Sequence, residues 1–387
     1  MEALPHRSRP PSSPTPRRRT LAGGLLLAAC AGWHGGARAL DAAAGSADRQ
    51  AFALAVRALA RHARFPLTSL TAGADPIRNL KRYILDHDPH GDYLTPAELR
   101  QYRRAGRADH AGIGVQLERD AAGVLRVLPD PDGPAARAGV PDGARLLAID
   151  GHAVQDLALP SVAALAAGVP GSVLRLQLAA PDGGTLEFAL PRTRANGPSV
   201  LLQHLLGRAV IRITAFTPDT RETLEYLLHA IPAGQPCILD LRGCAGGDLH
   251  AAIDCAMLFL VRGTPLGSLQ RGRQVQAWHC TRRAPPFGGA LVLWQDEGTA
   301  SAAEVLIAAL VDNARAITVG RRSFGKGSVQ ELIALADGAA LILSTAEVRS
   351  PLGRAIDGQG LEAQRSVVAR GDDPAPWLAR SEEARPP

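Results

Sequence analysis

The residues best placed for chemistry are a serine and a lysine. Ser301 sits in Glu297-Gly298-Thr299-Ala300-Ser301-Ala302-Ala303-Glu304, after an apolar strand pattern and before an apolar helix pattern. A serine at such a turn exposes its hydroxyl, and the free N–H groups of the first helical turn point at any oxyanion forming beside it. The position also suits a plain helix N-cap. Lysine usage adds a second signal: the chain has two lysines, Lys81 and Lys326, among 43 basic residues. A sequence that meets nearly every need for positive charge with arginine keeps lysine in Arg322-Ser323-Phe324-Gly325-Lys326-Gly327. Lysine can give up its proton and arginine in practice cannot, so general-base work is one physical reason for the exception. Lys81 shows that chance is another.

Other chemistries fit less well. No histidine lies in or near either motif, the nearest upstream being His279, which weakens a Ser/His/Asp arrangement without excluding it. The turn Leu239-Asp240-Leu241-Arg242-Gly243-Cys244-Ala245-Gly246-Gly247 ends a strand and opens a helix. Its glycines let backbone approach a ligand closely, as an oxyanion or phosphate cradle requires. No Walker Lys-Ser/Thr pair and no G-x-G-x-x-G follows, which argues against nucleotide. Cys30, Cys237, Cys244, Cys255 and Cys280 show no C-x-x-C spacing and so no zinc signature. The last four could form two disulfides or remain buried thiols, and the sequence leaves both open.

The elements that must carry these residues follow from periodicity. Residues 193 to about 370 alternate strand and helix: Val210 to Ile213, helix 218–230, strand 237–241, helix 247–260, strand 290–294, helix 301–312 and strand 316–319, with further strands at 331–335 and 340–347. That alternation predicts α/β layering on a largely parallel sheet. Residues 111–192 read instead as short alternating strands with Gly/Asp/Pro turns, and residues 48–105 as helical, with apolar Phe52, Val56, Leu59, Ala60, Leu80, Tyr83 and Ile84 spaced three and four apart. Asp88-Pro89 breaks that pattern, and Thr95-Pro96-Ala97-Glu98 starts a capped helix.

Arg17-Arg18-Arg19 ahead of an apolar run from Leu21 to Ala29 has the order of a secretory leader and is too short to anchor in a bilayer. Two processing sites compete, Ala37-Arg38-Ala39 and a lipoprotein-like Leu27-Ala28-Ala29-Cys30, whose lipidated cysteine would attach the protein to a membrane. Either makes the protein exported, hence periplasmic or envelope-associated. The formal net charge of +6 sits mostly in this leader, so the remainder is nearly neutral and nucleic acid is not an expected partner.

Gly112-Ile113-Gly114, Pro134 to Gly139 and Asp142 to Gly151 resemble a PDZ domain of the bacterial protease-associated type. Together with Asp88-Pro89, Tyr93 to Glu98, Ile211-Arg212-Ile213 with Phe216, Leu239 to Gly243, Ala300 to Glu304, Phe324 to Gln330, Asp337-Gly338, Thr345-Ala346 and Pro351 to Arg354, they resemble the C-terminal processing or tail-specific serine peptidases. The resemblance covers about 48–367. With the leader and the polar, Pro-rich end read from the residues, it implies a multidomain chain: an export signal over 1–39, a small helical N-terminal region over 40–105, an inserted or preceding PDZ-like β-rich domain over 106–192, an α/β catalytic domain of crotonase/ClpP-like layered βα repeats over 193–370, and a polar tail over 371–387. It also implies Ser301 as nucleophile, Lys326 as base, Gln330 as the residue that hydrogen-bonds and orients the lysine, and the amides of Ala302 and Gly246 as oxyanion hole, with no metal or cofactor. The Gly112-Ile113-Gly114 turn would hold a substrate's terminal carboxylate while the peptide adds a strand to the PDZ sheet. Burial would lower the lysine pKa to roughly 7–8. Two positions depart from the family, Cys244 where it usually has Asn, and Ala363-Gln364 near where it has a Pro-Asp pair. The alternatives are a catalytically decayed exported PDZ scaffold and a crotonase-like acyl transferase; the sequence offers no acyl-CoA pocket for the latter.

Overall fold

The computed structural model describes residues 33–105, 111–120, 122–130, 133–180, 183–194, 198–368 and 373–383. Residues 1–32 of the expected leader, with its run from Leu21 to Ala29 and Cys30, lie outside them, while its last residues, 33–39, fall in the first helix. At the N-terminal side, α1 (Trp33–His62) is followed by α2 (Pro76–His87), β1 (Asp92–Leu94) and α3 (Pro96–Ala105). Helix α2 starts where Asp75 accepts the Arg78 N–H and Pro76 takes the first turn. Helix α3 starts with the expected box, the Thr95 N–H donating to the Glu98 carboxylate. The inward face differs slightly from the sequence reading: Ala55 and Leu59 are buried and Ala60 is exposed.

Next come β2 (Val115–Arg119), β3 (Leu125–Pro129), α4 (Pro134–Arg137), β4 (Ala144–Ile149), β5 (His152–Ala153), α5 (Leu159–Ala166), β6 (Val173–Ala179) and β7 (Thr185–Pro191). Their antiparallel sheet runs β2-β3-β4-β6-β7, with β5 on β4. Leu174, Leu176 and Leu178 alternate inward along β6 against Val127, Leu146 and Val162, the period-two pattern of a half-buried strand. Strand β2 pairs on one side only, leaving an edge beside α5.

The remaining elements are β8 (Val200–Leu205), β9 (Arg208–Ile213), α6 (Thr220–His229), β10 (Cys237–Asp240), α7 (Leu249–Ala256), β11 (Pro265–Arg271), β12 (Gln274–His279), β13 (Leu291–Gln295), α8 (Ala302–Asp312), β14 (Ile317–Gly320), β15 (Ser328–Ala334), β16 (Ala340–Arg349), β17 (Arg365–Ser366) and α9 (Ala375–Glu383). One sheet runs β17-β14-β13-β10-β9-β8, parallel except for β8. Helices α7 and α8 bury apolar side chains against it in the largest core, the βα layering expected. A second sheet orders β1-β16-β11-β12, with β15 also on β16.

Strand β1 pairs with β16, Asp92 opposite Ile342, so the N-terminal helical region is built onto the later sheet and the PDZ sheet is an insertion between them, one of the two arrangements expected. One feature differs from the sequence reading. Within the stretch read as a polar tail, α9 is a docked helix with Trp377 and Leu378 buried.

Candidate active site

Strand β13 ends at Gln295, and six residues later Ser301 opens α8 with φ 56°, ψ −120°, a left-handed conformation that a non-glycine residue adopts only when its surroundings impose it. The surroundings are strong. Asp296 accepts the Gly298 N–H at 3.0 Å and the Gly243 N–H at 2.8 Å. The Thr299 hydroxyl donates to the Leu241 carbonyl at 2.9 Å, and the Ala300 N–H to the Cys244 carbonyl at 2.9 Å. The serine turn is thus tied to the glycine-rich turn after β10.

Glu304 ties it to the lysine. Its fully buried carboxylate accepts the Ser301 N–H (2.9 Å) and the Lys326 N–H (2.8 Å) on Oε2, and the Gly325 N–H (2.7 Å) and Ser323 hydroxyl (2.5 Å) on Oε1. Burial pushes this carboxyl up, and these hydrogen bonds pull it back. The Phe324 N–H adds a bond to the Thr299 carbonyl at 2.9 Å. The backbone nitrogens of Ser301 and Lys326 therefore stand within two hydrogen-bond lengths of each other.

Burial is the largest influence on the Lys326 amine and lowers its pKa; Asp357 and then Glu304 oppose it. Among the described residues the Lys326 ammonium forms no salt bridge. Asp357 holds the loop from the other side, accepting the Gly327 and Ser328 N–H groups on one oxygen at 3.0 and 2.8 Å.

Gln330 is not brought into hydrogen bond with Lys326. Its carboxamide N–H groups go to the hydroxyls of Ser328 and Ser344, each at 3.1 Å. A register shift at Val329/Gln330 aims it there, and Asp88 anchors Ser344 through hydroxyl and backbone at 2.9 and 2.7 Å. Only the Gln330 carbonyl oxygen is left for an amine. His90, whose backbone donates to Asp88, is a neighbour that the sequence did not suggest. Burial first, and then the Lys326 charge, lower its pKa below the ordinary histidine value.

The two expected oxyanion amides are brought together. A Cβ built on Gly246 would lie 2.8 Å from Ser301 Cβ, 2.8 Å from the Ala302 nitrogen and 2.7 Å from the Ala300 carbonyl oxygen, and φ is +99°. The Gly246 N–H faces the buried Cys244 thiol, a weak acceptor that a developing oxyanion would outcompete. Burial pushes that thiol up to about 12. Cys237, Cys244, Cys255 and Cys280 are all free and buried, which resolves the open choice in favour of thiols.

Of the expected carboxylate loop, Gly112 is already committed: its N–H donates to the Thr193 carbonyl at 3.2 Å and its carbonyl accepts the Thr193 N–H at 2.8 Å. The N–H groups of Ile113 and Gly114 make no hydrogen bond to a described residue, and they head the open edge of β2. From β2, the Gln116 side chain donates to the Gly243 carbonyl at 2.7 Å, so the PDZ sheet touches the glycine-rich turn.

Comparison with known proteins shows the family and the fold. Residues 207–367 match the model of peptidase family S41, and residues 127–179 match a PDZ domain. A carboxyl-terminal-processing protease of Picosynechococcus sp. is 31% identical over 287 residues, covering 72% of this chain and 69% of that protein. The chloroplastic carboxyl-terminal-processing peptidase 3 of Arabidopsis thaliana is 30% identical over 316 residues, or 77% of this chain and 60% of that protein, so this chain spans less than two thirds of it. Among solved structures, a photosystem II D1 C-terminal processing protease superposes with TM-score 0.69 at 23% identity, over 83% of this chain and 93% of that one, which shows a shared fold.

Proposed function

This chain belongs to peptidase family S41, and from that premise we propose that it is an exported serine endopeptidase that cleaves proteins selected by their C-terminal tails. The observation carrying the reading is the shared Glu304 oxygen, which holds the backbones of Ser301 and Lys326 side by side although 25 residues separate them. In the mechanism, the neutral Lys326 amine takes the Ser301 proton as Oγ attacks the scissile carbonyl. The oxyanion is held by the N–H groups of Ala302 and Gly246. Collapse expels the peptide amine, which takes the proton from Lys326, and leaves an acyl-serine. Water, deprotonated by the same amine, then releases the acid. Burial of Lys326 supports this by disfavouring the ammonium. Gln330, pinned by two serines, would offer its carbonyl oxygen to orient the amine.

The same reading assigns 106–192 to tail recognition and 193–370, completed by β1, to catalysis. Ile113 and Gly114 would hold a substrate carboxylate, with the tail added to the edge of β2. Export would rest on the leader over 1–39, with processing at Ala37–Ala39 or lipidation at Cys30.

The test is a gel assay of purified protein against an unfolded substrate, with Ser301→Ala beside it. Cleavage by the wild type and none by the folded variant is expected. No cleavage by a folded wild type would favour a decayed PDZ scaffold instead.

A further inference from the structure

Helix α9 lies beyond the family-matched segment, yet it docks directly behind the glycine-rich turn. Its Trp377 is 1% exposed and packs with Trp294 of β13. The Arg242 guanidinium lies against both rings, 4.9 Å from the Trp294 centroid and 4.8 Å from that of Trp377, and since the two centroids are 5.7 Å apart the three groups form a triangle. Asp240 grips the same guanidinium through two parallel bonds of 2.8 and 2.7 Å and also accepts the Arg242 backbone N–H at 3.1 Å. Arg242 is thus fixed on its edge by a carboxylate and packed against two adjoining indoles. A planar cation in a dry site is held strongly by that combination.

The docking is specific. The Trp294 indole N–H donates to Ser381 Oγ of α9 at 2.8 Å. Gly320 leaves room for the ring, since a Cβ there would stand 2.5 Å from Trp377 Cζ3. The Trp377 indole N–H itself is buried with no hydrogen-bond partner among the described residues. A leucine or phenylalanine would fill the space without an unpaired donor, so the indole serves through its face, and tryptophan is the best aromatic partner for a guanidinium.

Arg242 begins the turn that reaches Gly246 four residues later. Its carbonyl is held by Arg212 at 3.3 Å, and Gly243 is held by Asp296 and Gln116. We propose that α9 is a positioning element for the oxyanion turn, with Trp377 bracing Arg242 and so fixing the backbone from Gly243 to Gly246 beside Ser301 and Ala302. This rests on the oxyanion reading of Gly246 and Ala302 given above.

The experiment uses the full chain carrying Trp377→Leu, Trp377→Phe or Arg242→Lys. Each is measured for kcat and KM on a peptide, for affinity toward a peptidyl boronic acid that forms a tetrahedral adduct on Ser301, and for binding of a C-terminal peptide to the PDZ domain. Trp377→Leu should lose roughly tenfold in kcat and in boronic acid affinity, the size expected of a desolvated cation–π contact. KM and PDZ binding should stay within about twofold, and Trp377→Phe should recover most of the loss. Should Trp377→Leu not fold, Arg242→Lys must show the same split, since it keeps the charge and loses the plane. A folded Trp377→Leu or Arg242→Lys with wild-type kcat, or one losing KM and PDZ binding equally, overturns the proposal. An active Ser301→Ala would overturn the underlying assignment instead, whatever Trp377 does.

Discussion

Ser301 and Lys326 hang from one oxygen atom: both backbone N–H groups donate to Oε2 of Glu304, at 2.9 and 2.8 Å. The second oxygen of the same carboxylate holds Gly325 and Ser323. Four donors on one buried anion make Glu304 the joint between the strand–helix turn of Ser301 and the loop of Lys326. Charge-assisted bonds of this kind are short and about twice as strong as neutral ones.

Glu304→Gln should therefore be far from conservative. The carboxamide can present only one accepting oxygen, so one pair of donors must face an NH2 group. We expect kcat to fall by at least roughly 10²-fold and stability by about 1–3 kcal/mol, read by turnover and by urea unfolding. Near-wild-type turnover in a folded variant would remove Glu304 from the positioning of the dyad.

Lys326 should set the alkaline-rising limb of the rate profile. Its pKa lies below the ordinary lysine value because burial disfavours the ammonium; the protonated form cannot accept the serine proton, so kcat/KM rises with pH through that lowered pKa. Lys326→Arg stays protonated and should lose roughly 10²–10⁴-fold or more without unfolding. Folding binds the lysine proton less tightly than the unfolded chain does, so the native state is penalised at neutral pH and relieved as pH rises. Lys326→Met, with no charge to bury, should be inactive with a raised melting temperature. A folded Lys326→Arg within tenfold of wild type would exclude Lys326 as the base, and His90 would be the next residue to test.

Gly246 has no room for a methyl group. The nearest atoms to its Cβ position are backbone or Ser301 Cβ at 2.7–2.8 Å, and φ is +99°. Gly246→Ala should displace the Ser301–Ala302 turn, costing about 1–3 kcal/mol of stability and roughly 10²–10³-fold in kcat if an oxyanion donor is lost. Circular dichroism and single-turnover acylation separate the two effects. Unchanged acylation would move the oxyanion hole elsewhere.

Substrates with a free C-terminus should be preferred. With Gly112 committed to Thr193, the Ile113 and Gly114 N–H groups remain for a carboxylate. Hydrogen bonds to a charged group are worth about 1.5–3 kcal/mol, so amidation of one peptide should lower kcat/KM by roughly tenfold or more. Equal rates for acid and amide would mean that the PDZ domain does not read the terminus.

By itself the sequence determined the layering, the PDZ segment and the two residues on which the chemistry is proposed to turn. Strand, turn and helix follow one another locally around Ser301, and lysine scarcity leaves only Lys81 and Lys326, of which the family resemblance points to Lys326, so no tertiary contact was needed to see either. Local patterns also explain what was missed. Strand β12 is short and exposed along nearly its whole length, so no buried face marks it out. In α9 only the adjacent Trp377 and Leu378 are buried, which sets no helical period.

Tertiary structure alone decided the partners. Glu304 reads in sequence as an acid in the first turn of a helix, and nothing there says that it also binds a loop 22 residues on. Asp88 meets Ser344 across 256 residues, which places His90 beside Lys326 and draws Gln330 to two serines. Arg242 finds Trp377 only because α9 folds back over the parallel sheet. Periodicity reports which face of an element is buried, whereas a hydrogen bond or a stacked cation depends on which distant element covers that face, and that is settled only when the sheets assemble.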